Sequence, residues 1–332
     1  MKRHWLFGSA LLAGAVISAS LSAPPTASRA QTAATAAPSD ALPAWLYPTD
    51  TPGAPPSPPD ATVQHKVPNS NLSLTMAQIT DKFGAPDWHA DAHPPMPSIV
   101  ANGQKPQVWA CGYCHLPNGQ GRPEDLALAG LRQSYFLKAM ADYKSGSRSS
   151  SSPAVTSRMI DIAKTITDEQ AQQAAQYFEG LTYRPWIRVE EASIAPSYRV
   201  SARMMIPIPS KTEPLGERII EVPADPDRTD LRDDASGFIA YVPAGSLKAG
   251  ATLAAGGNGI AACAACHGTG LKGGPAAPPL AGRSPTAMLR QLYDFRTGAR
   301  KGPGAAQMAA IAQKLDLNQM IDLAAYTGSL KP

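Results

Sequence analysis

The chain has 332 residues, 43% of them hydrophobic and 17% charged, which suits a soluble globular protein of two or three domains. Four cysteines are too few for a disulfide scaffold, and a formal charge of +4 is too small for a nucleic-acid binder. Past the N-terminus no apolar run reaches the length needed to cross a bilayer, and 33 prolines with only 6% aromatics predict long irregular stretches.

Residues 1–30 read as an export signal. Lys2, Arg3 and His4 form a basic start, Trp5 to Leu21 is apolar, and Ser28-Arg29-Ala30 is a small-x-small site before Gln31. This predicts a periplasmic protein with no membrane span in the mature chain; a retained anchor is the other reading. Removing 1–30 leaves +1, unevenly spread: residues 31–103 carry −4 and residues 245–332 carry +6. The 31–103 stretch holds 13 prolines, and its first half reads as an extended or disordered linker. Further on, Thr75 and Gln78 are spaced for a capping box opening a short helix that ends near Gly84. The run Pro86-Asp87-Trp88-His89 to His93-Pro94-Pro95-Met96-Pro97 is richer in specific side chains than a linker needs, and is expected to pack over the domain that follows.

All four cysteines fall in two copies of one pattern, Cys111-Gly112-Tyr113-Cys114-His115 and Cys263-Ala264-Ala265-Cys266-His267. C-x-x-C-H is the attachment signature of haem c. Two thiols at this spacing can add to the two vinyl groups of one porphyrin, and the adjacent His is then held under the ring. A zinc site does not require the His after each pair. A thioredoxin-like pair would occur once, near a βαβ pattern. A structural disulfide across two residues is strained. Two haem c groups, on Cys111 and Cys114 and on Cys263 and Cys266, are the expectation, with His115 and His267 as axial ligands.

Comparing the halves selects the second ligand among ten methionines. With His115 set against His267, Leu128-Ala129-Gly130 meets Leu280-Ala281-Gly282, and Asp142-Tyr143-Lys144-Ser145-Gly146-Ser147-Arg148 meets Asp294-Phe295-Arg296-Thr297-Gly298-Ala299-Arg300. After a three-residue insertion in the Ser-rich loop of the first copy, Met159 falls opposite Met308 and the register holds to Leu181 and Leu330. Met140, Met288 and Met320 face other residue types, as interchangeable core positions do. Met159 and Met308, each after a loop and before a helix, are the expected sixth ligands. Such His/Met ligation raises the iron potential and leaves no open site for substrate. Helical spacing covers Tyr135 to Tyr143 and Met288 to Phe295, and closing helices are predicted over Thr167 to Leu181 and Asp316 to Leu330.

On these motifs, which cover roughly 111–181 and 263–330, the repeats resemble class I cytochrome c domains arranged as in the periplasmic tandem two-haem cytochromes. The resemblance implies an all-α fold of two such domains, 104–182 and 245–332, with a Pro-rich N-terminal extension (31–103) and an irregular or short-β insert (183–244). It also implies that His and Met ligate iron, and that a carbonyl near a Pro orients the His. Pro278 and Pro279 fit that role in the second copy, whereas the first has Ala127 opposite Pro279, with Pro123 slightly upstream. His65, His89 and His93, outside the motifs, read as packing residues, the sharper reading being that one replaces Met159 or binds another metal.

The insert carries β-type runs at 218–222 and 238–242 and is expected to form a small extended or hairpin-like element. The function expected is a carrier of single electrons between redox partner proteins, steered by its basic second domain towards an acidic surface. A cytochrome subunit of a periplasmic dehydrogenase is the second reading. A two-haem peroxidase, which needs one openable iron with acid–base groups beside it, is the enzyme alternative; the paired methionines argue against it.

Overall fold

A computed structural model of the chain describes residues 1, 42–53, 59–275 and 277–332. Met1 apart, the expected export signal lies outside the described residues, as do the start of the Pro-rich extension and residues 54–58.

The extension forms a short antiparallel ladder, β1 (Gln64–His65) with β2 (Leu74–Thr75), followed by α1 (Met76–Ile79). The capping box is present: the Thr75 hydroxyl accepts from the Gln78 amide, and Gln78 Oε1 accepts from the Thr75 amide at 2.8 Å. The helix stops at Ile79 rather than near Gly84. Asp81 takes the Phe83 amide on its own carboxylate at 2.9 Å, a local turn that competes with continuing the helix.

The first helical set is α2 (Ser98–Ala101), α3 (Cys111–His115), α4 (Gln133–Lys144), α5 (Pro153–Thr165) and α6 (Asp168–Glu179). Its core stacks Phe136 on Phe178 and adds Ile162, Ile166, Ile99 and Val100. The last two precede the expected boundary at 104, so the domain draws in the end of the extension. A second set repeats the plan with α8 (Ser246–Ala254), α9 (Ala264–His267), α10 (Pro285–Arg296), α11 (Ala306–Ala312) and α12 (Leu317–Ser329). Both closing helices form as predicted, each opened by a capping box, Thr167 with Gln170 and Asp316 with Gln319. The matched glycines of the Leu-Ala-Gly steps anchor them. Gly130 and Gly282 both sit at φ 71°, and their amides donate to Phe178 O and Thr327 O at 2.9 Å.

The Pro-rich extension departs from the linker expectation within this second set. Leu46 is fully buried and Tyr47 nearly so in the core of α10 and α12. Tyr47 donates to Asp294 Oδ1 at 2.7 Å, and Arg290 Nε donates to Leu46 O at 2.7 Å. An apolar Trp-Leu-Tyr triplet among prolines gains more from burial than its short backbone costs to order.

Between the sets, β3 (Ile187–Glu191) pairs in parallel with β7 (Phe238–Val242), which pairs antiparallel with β6 (Ile220–Pro223); β4 (Ile194–Ser201) and β5 (Met204–Pro214) form a hairpin, and α7 (Pro226–Asp230) follows β6. The all-α class therefore describes the helical sets but understates an insert with five strands among the described residues. The hairpin turns on Ala202 and Arg203, both at positive φ (49° and 64°). Neither residue signals the mirror-image turn that such angles make.

The two sets meet through their matched segments. Arg148 and Arg300, aligned in the repeat, face one another in an antiparallel bridge, with Ser149 N donating to Ala299 O and Lys301 N to Ser147 O at 2.8 Å each. Arg283 crosses the same interface, donating to Ala127 O and Ala129 O at 2.8 Å each. Among the described residues no helix is long and apolar enough to cross a membrane.

Candidate haem centres

Each C-x-x-C-H motif forms a short helical turn that sets its His pointing back towards a downstream loop. His115 Nδ1 lies 2.7 Å from Leu126 O, and His267 Nδ1 lies 2.7 Å from Pro278 O, eleven residues on in both copies. A carbonyl only accepts, so Nδ1 carries the proton and Nε2 keeps its lone pair, the tautomer a metal ligand needs. Burial pushes both imidazoles below their usual pKa, which favours the same neutral form. In the second copy the carbonyl belongs to Pro278, as expected. In the first it belongs to Leu126, which neither Ala127 nor Pro123 marked; the position is legible only by carrying the eleven-residue spacing across the repeat.

The four thiols are unpaired. Burial raises Cys111 and Cys114 to about 12, and Cys263 upward too, so these are protonated thiols rather than the activated thiolates of a redox pair. Cys266 is exposed.

Met159 and Met308 lie within helices α5 and α11, not in the stretch between a loop and a helix. In the first copy the Ser-rich loop ends early because Pro153 at the first helical position starts α5 six residues before the Met. Both are half-buried. Met159 packs on the same apolar cluster as Cys111, and Met308 on the same cluster as Cys263. Met320 is fully buried core, as the repeat comparison predicts. The fold thus brings each motif and its paired Met to one apolar core, twice. A His with one free nitrogen, a thioether and two thiols around an apolar lining is a donor set that fits haem c.

Two of the remaining histidines are engaged elsewhere. His93 Nε2 meets Asp87 Oδ1 at 3.0 Å while its Nδ1 meets Tyr177 Oη at 3.0 Å, and His89 Nε2 meets Asp233 Oδ1 at 3.0 Å. His93 has both ring nitrogens engaged and His89 has Nε2 engaged, while His65 sits in β1.

Sequence reasoning missed a cationic interior between the repeats. Arg148, Arg283 and Arg290 are almost fully buried, and Arg148 and Arg300 share Gln291 Oε1 at 3.0 and 2.8 Å. Burial pushes the Tyr135 phenol up, but Arg300 and Arg148 outweigh it and hold its pKa down to about 8. Beside this cluster a cavity of about 220 Å³, lined by Arg132, Tyr135, Lys138 and Pro278 among others, opens next to the carbonyl that orients His267.

The family model for cytochrome c matches residues 247–331. Cytochrome c-554(548) of Halomonas halodenitrificans is 43% identical over 77 residues, which is 23% of this chain and 93% of that protein. The chain belongs to the cytochrome c family. Cytochromes c bind haem through thioether bonds and exchange electrons, and this chain is an electron-transfer cytochrome of that kind. Cytochrome c4 of Azotobacter vinelandii is 26% identical over 230 residues, covering 66% of this chain and 84% of that one. A thiosulfate dehydrogenase electron acceptor of Stutzerimonas stutzeri is 25% identical over 242 residues, 70% of this chain and 87% of the other. Both likenesses are too long to lie within either repeat alone, so they take in more than the second repeat matched by the family model.

Proposed function

We propose that the protein is a periplasmic dihaem cytochrome c that carries single electrons between redox proteins. One haem c is held by Cys111 and Cys114 with His115 and Met159 on iron, in a domain ending near 182. The other is held by Cys263 and Cys266 with His267 and Met308, in the domain from 245. The observation that carries this reading is the repeated tie from His Nδ1 to a carbonyl eleven residues on, at 2.7 Å in both copies, with a paired Met on the same core as the motif.

When bound, haem iron supplies a one-electron couple. The chain's own residues do the rest. Leu126 O and Pro278 O fix the tautomer and orientation of each imidazole. The buried apolar lining keeps water away. The guanidiniums of Arg148 and Arg300 would offer counter-charges to the acidic groups of a bound porphyrin, which relieves the cost of burying them. His115 with Met159, and His267 with Met308, would hold the two irons and leave no position open for a substrate, so the group would supply electron transfer alone.

The kinship with an electron acceptor of thiosulfate dehydrogenase favours a second reading, in which this chain accepts electrons from a periplasmic dehydrogenase as its cytochrome partner. The test of the ligand assignment is the far-red absorption band of Met-ligated ferric haem c, measured per haem with the haem count of the purified protein. Two haems and two units of the band are expected, with one unit lost in Met159→Ala and one in Met308→Ala. A band unaffected by either substitution overturns the assignment at that iron.

A further inference from the structure

We propose that His89, Asp233 and Asp234 form a binding site for one zinc-class divalent cation that fastens the N-terminal extension to the insert. The three residues come from segments far apart in sequence. His89 lies in the 86–97 stretch, and the two aspartates lie in the loop between α7 and β7.

His89 Nε2 stands 3.0 Å from Asp233 Oδ1 and 3.9 Å from Asp234 Oδ1, and the three donor atoms all lie within 4.8 Å of one another. The side chains are 12%, 0% and 1% exposed, so the carboxylates are shut away from bulk water. Asp233 is already served: its Oδ2 accepts from Arg228 Nε at 2.7 Å and its Oδ1 from the Ala235 amide at 2.9 Å. Asp234 is not. Neither of its carboxylate oxygens accepts a hydrogen bond, although its backbone carbonyl is pinned by Asn118 Nδ2 at 2.5 Å. A buried carboxylate with both oxygens unserved, aimed at an imidazole nitrogen and a second carboxylate, is poorly placed unless a cation joins it.

The donor set decides the class of cation. Calcium and magnesium take oxygen ligands, so an imidazole nitrogen disfavours them. One nitrogen with two carboxylate oxygens suits zinc, and three protein donors leave a fourth position for water. The site is preorganised from both sides. Trp88, next to His89, donates its Nε1 to Leu231 O at 2.7 Å, which sets the extension against the same loop. The cation would therefore lock a contact that hydrogen bonds already draft, on the flank of the first C-x-x-C-H helix, where Arg232 donates to Tyr113 O at 2.6 Å.

The experiment titrates zinc ion into the haem-loaded, full-length protein after removal of divalent metals, reading affinity by calorimetry and retained zinc per haem iron by elemental analysis. One zinc per chain is expected. Asp234→Asn and His89→Gln should each weaken it at least tenfold with the haem spectrum unchanged, and amide exchange in 86–97 should slow on zinc addition only in the parent. No retained zinc in the parent, or parent-like affinity in both variants, overturns the site and leaves His89 as an ion-pair partner of Asp233.

Discussion

Arg283 offers the sharpest test of how the two repeats are held together. Its guanidinium is buried at 4% exposure, donates to Ala127 O and Ala129 O at 2.8 Å each, and lies 4.6 Å over the Tyr183 ring, whose hydroxyl donates to Gly282 O at 2.9 Å. Arg283→Met keeps the apolar stem but leaves the buried Ala129 carbonyl and the part-buried Ala127 carbonyl of the first repeat without donors, at about 1–3 kcal/mol each, the Ala127 share at the low end. Against this, among the described residues no carboxylate forms an ion pair with the guanidinium and burial lowers its pKa, so removing the charge recovers part of its desolvation cost. The net expectation is a loss of about 2–4 kcal/mol. It should appear in urea unfolding followed by far-UV dichroism together with the haem Soret band. The single transition should split as the repeats lose their tie, while Arg283→Lys, able to serve one carbonyl, should lose about half as much. A loss below about 1 kcal/mol with one coincident transition would refute the reasoning, because desolvation would then match the two bonds.

Three further outcomes follow from other contacts. Glu221 is buried and accepts from Ser284 Oγ and the Thr286 amide at 2.8 and 3.0 Å, and burial raises its pKa. Stability tied to a raised carboxylate is full below the ordinary range of about 4.3 and is lost as pH rises through the folded value, so Glu221→Gln should gain on the parent in denaturation midpoint as pH climbs; a pH-independent difference counts against this. At Gly250 a Cβ would stand 2.0 Å from Asp322 O, forcing α8 off α12, so Gly250→Ala should cost about 1–3 kcal/mol in thermal unfolding, and an unchanged melting temperature contradicts the packing. Electron exchange with an acidic protein partner should slow by about tenfold between low and physiological ionic strength and further in Lys272→Gln, measured by stopped flow; a flat salt profile removes the basic domain from recognition.

What was legible in the sequence is what is local. The C-x-x-C-H turns and the capped closing helices each sit within a few residues of their determinants, and the internal repeat supplied a second reading of the matched positions. What escaped depends on partners distant in the chain. Trp45-Leu46-Tyr47 looks like an interruption in a Pro-rich linker until Asp294 and Arg290, some 245 residues away, accept and donate to it. The β4–β5 hairpin hid because Ala202 and Arg203 take positive φ without glycine or asparagine. The buried arginines read as solvated charges, since nothing near them in sequence says that two copies of one motif will close over them.

The repeat also explains why its two halves are not equivalent. Matched motifs predict matched surroundings, yet the first is covered by the insert and the second is exposed at 264–266. Arg232 of the insert donates to Tyr113 O at 2.6 Å and lays its guanidinium 3.7 Å over the Tyr113 ring, while Trp186 Nε1 donates to Gly121 O at 3.0 Å. In the second motif Ala264, Ala265 and Cys266 are exposed, on the domain that carries the positive charge. Solvent exposure and nearby charge both tune an iron's potential when the ligands are the same. A cationic cover disfavours the oxidised, more positive state of an iron beneath it, so Arg232 would raise the potential of a haem held by the first motif. The 62-residue insert between the repeats therefore does more than connect them: it covers the first motif region and leaves part of the second exposed, with side chains that belong to neither motif.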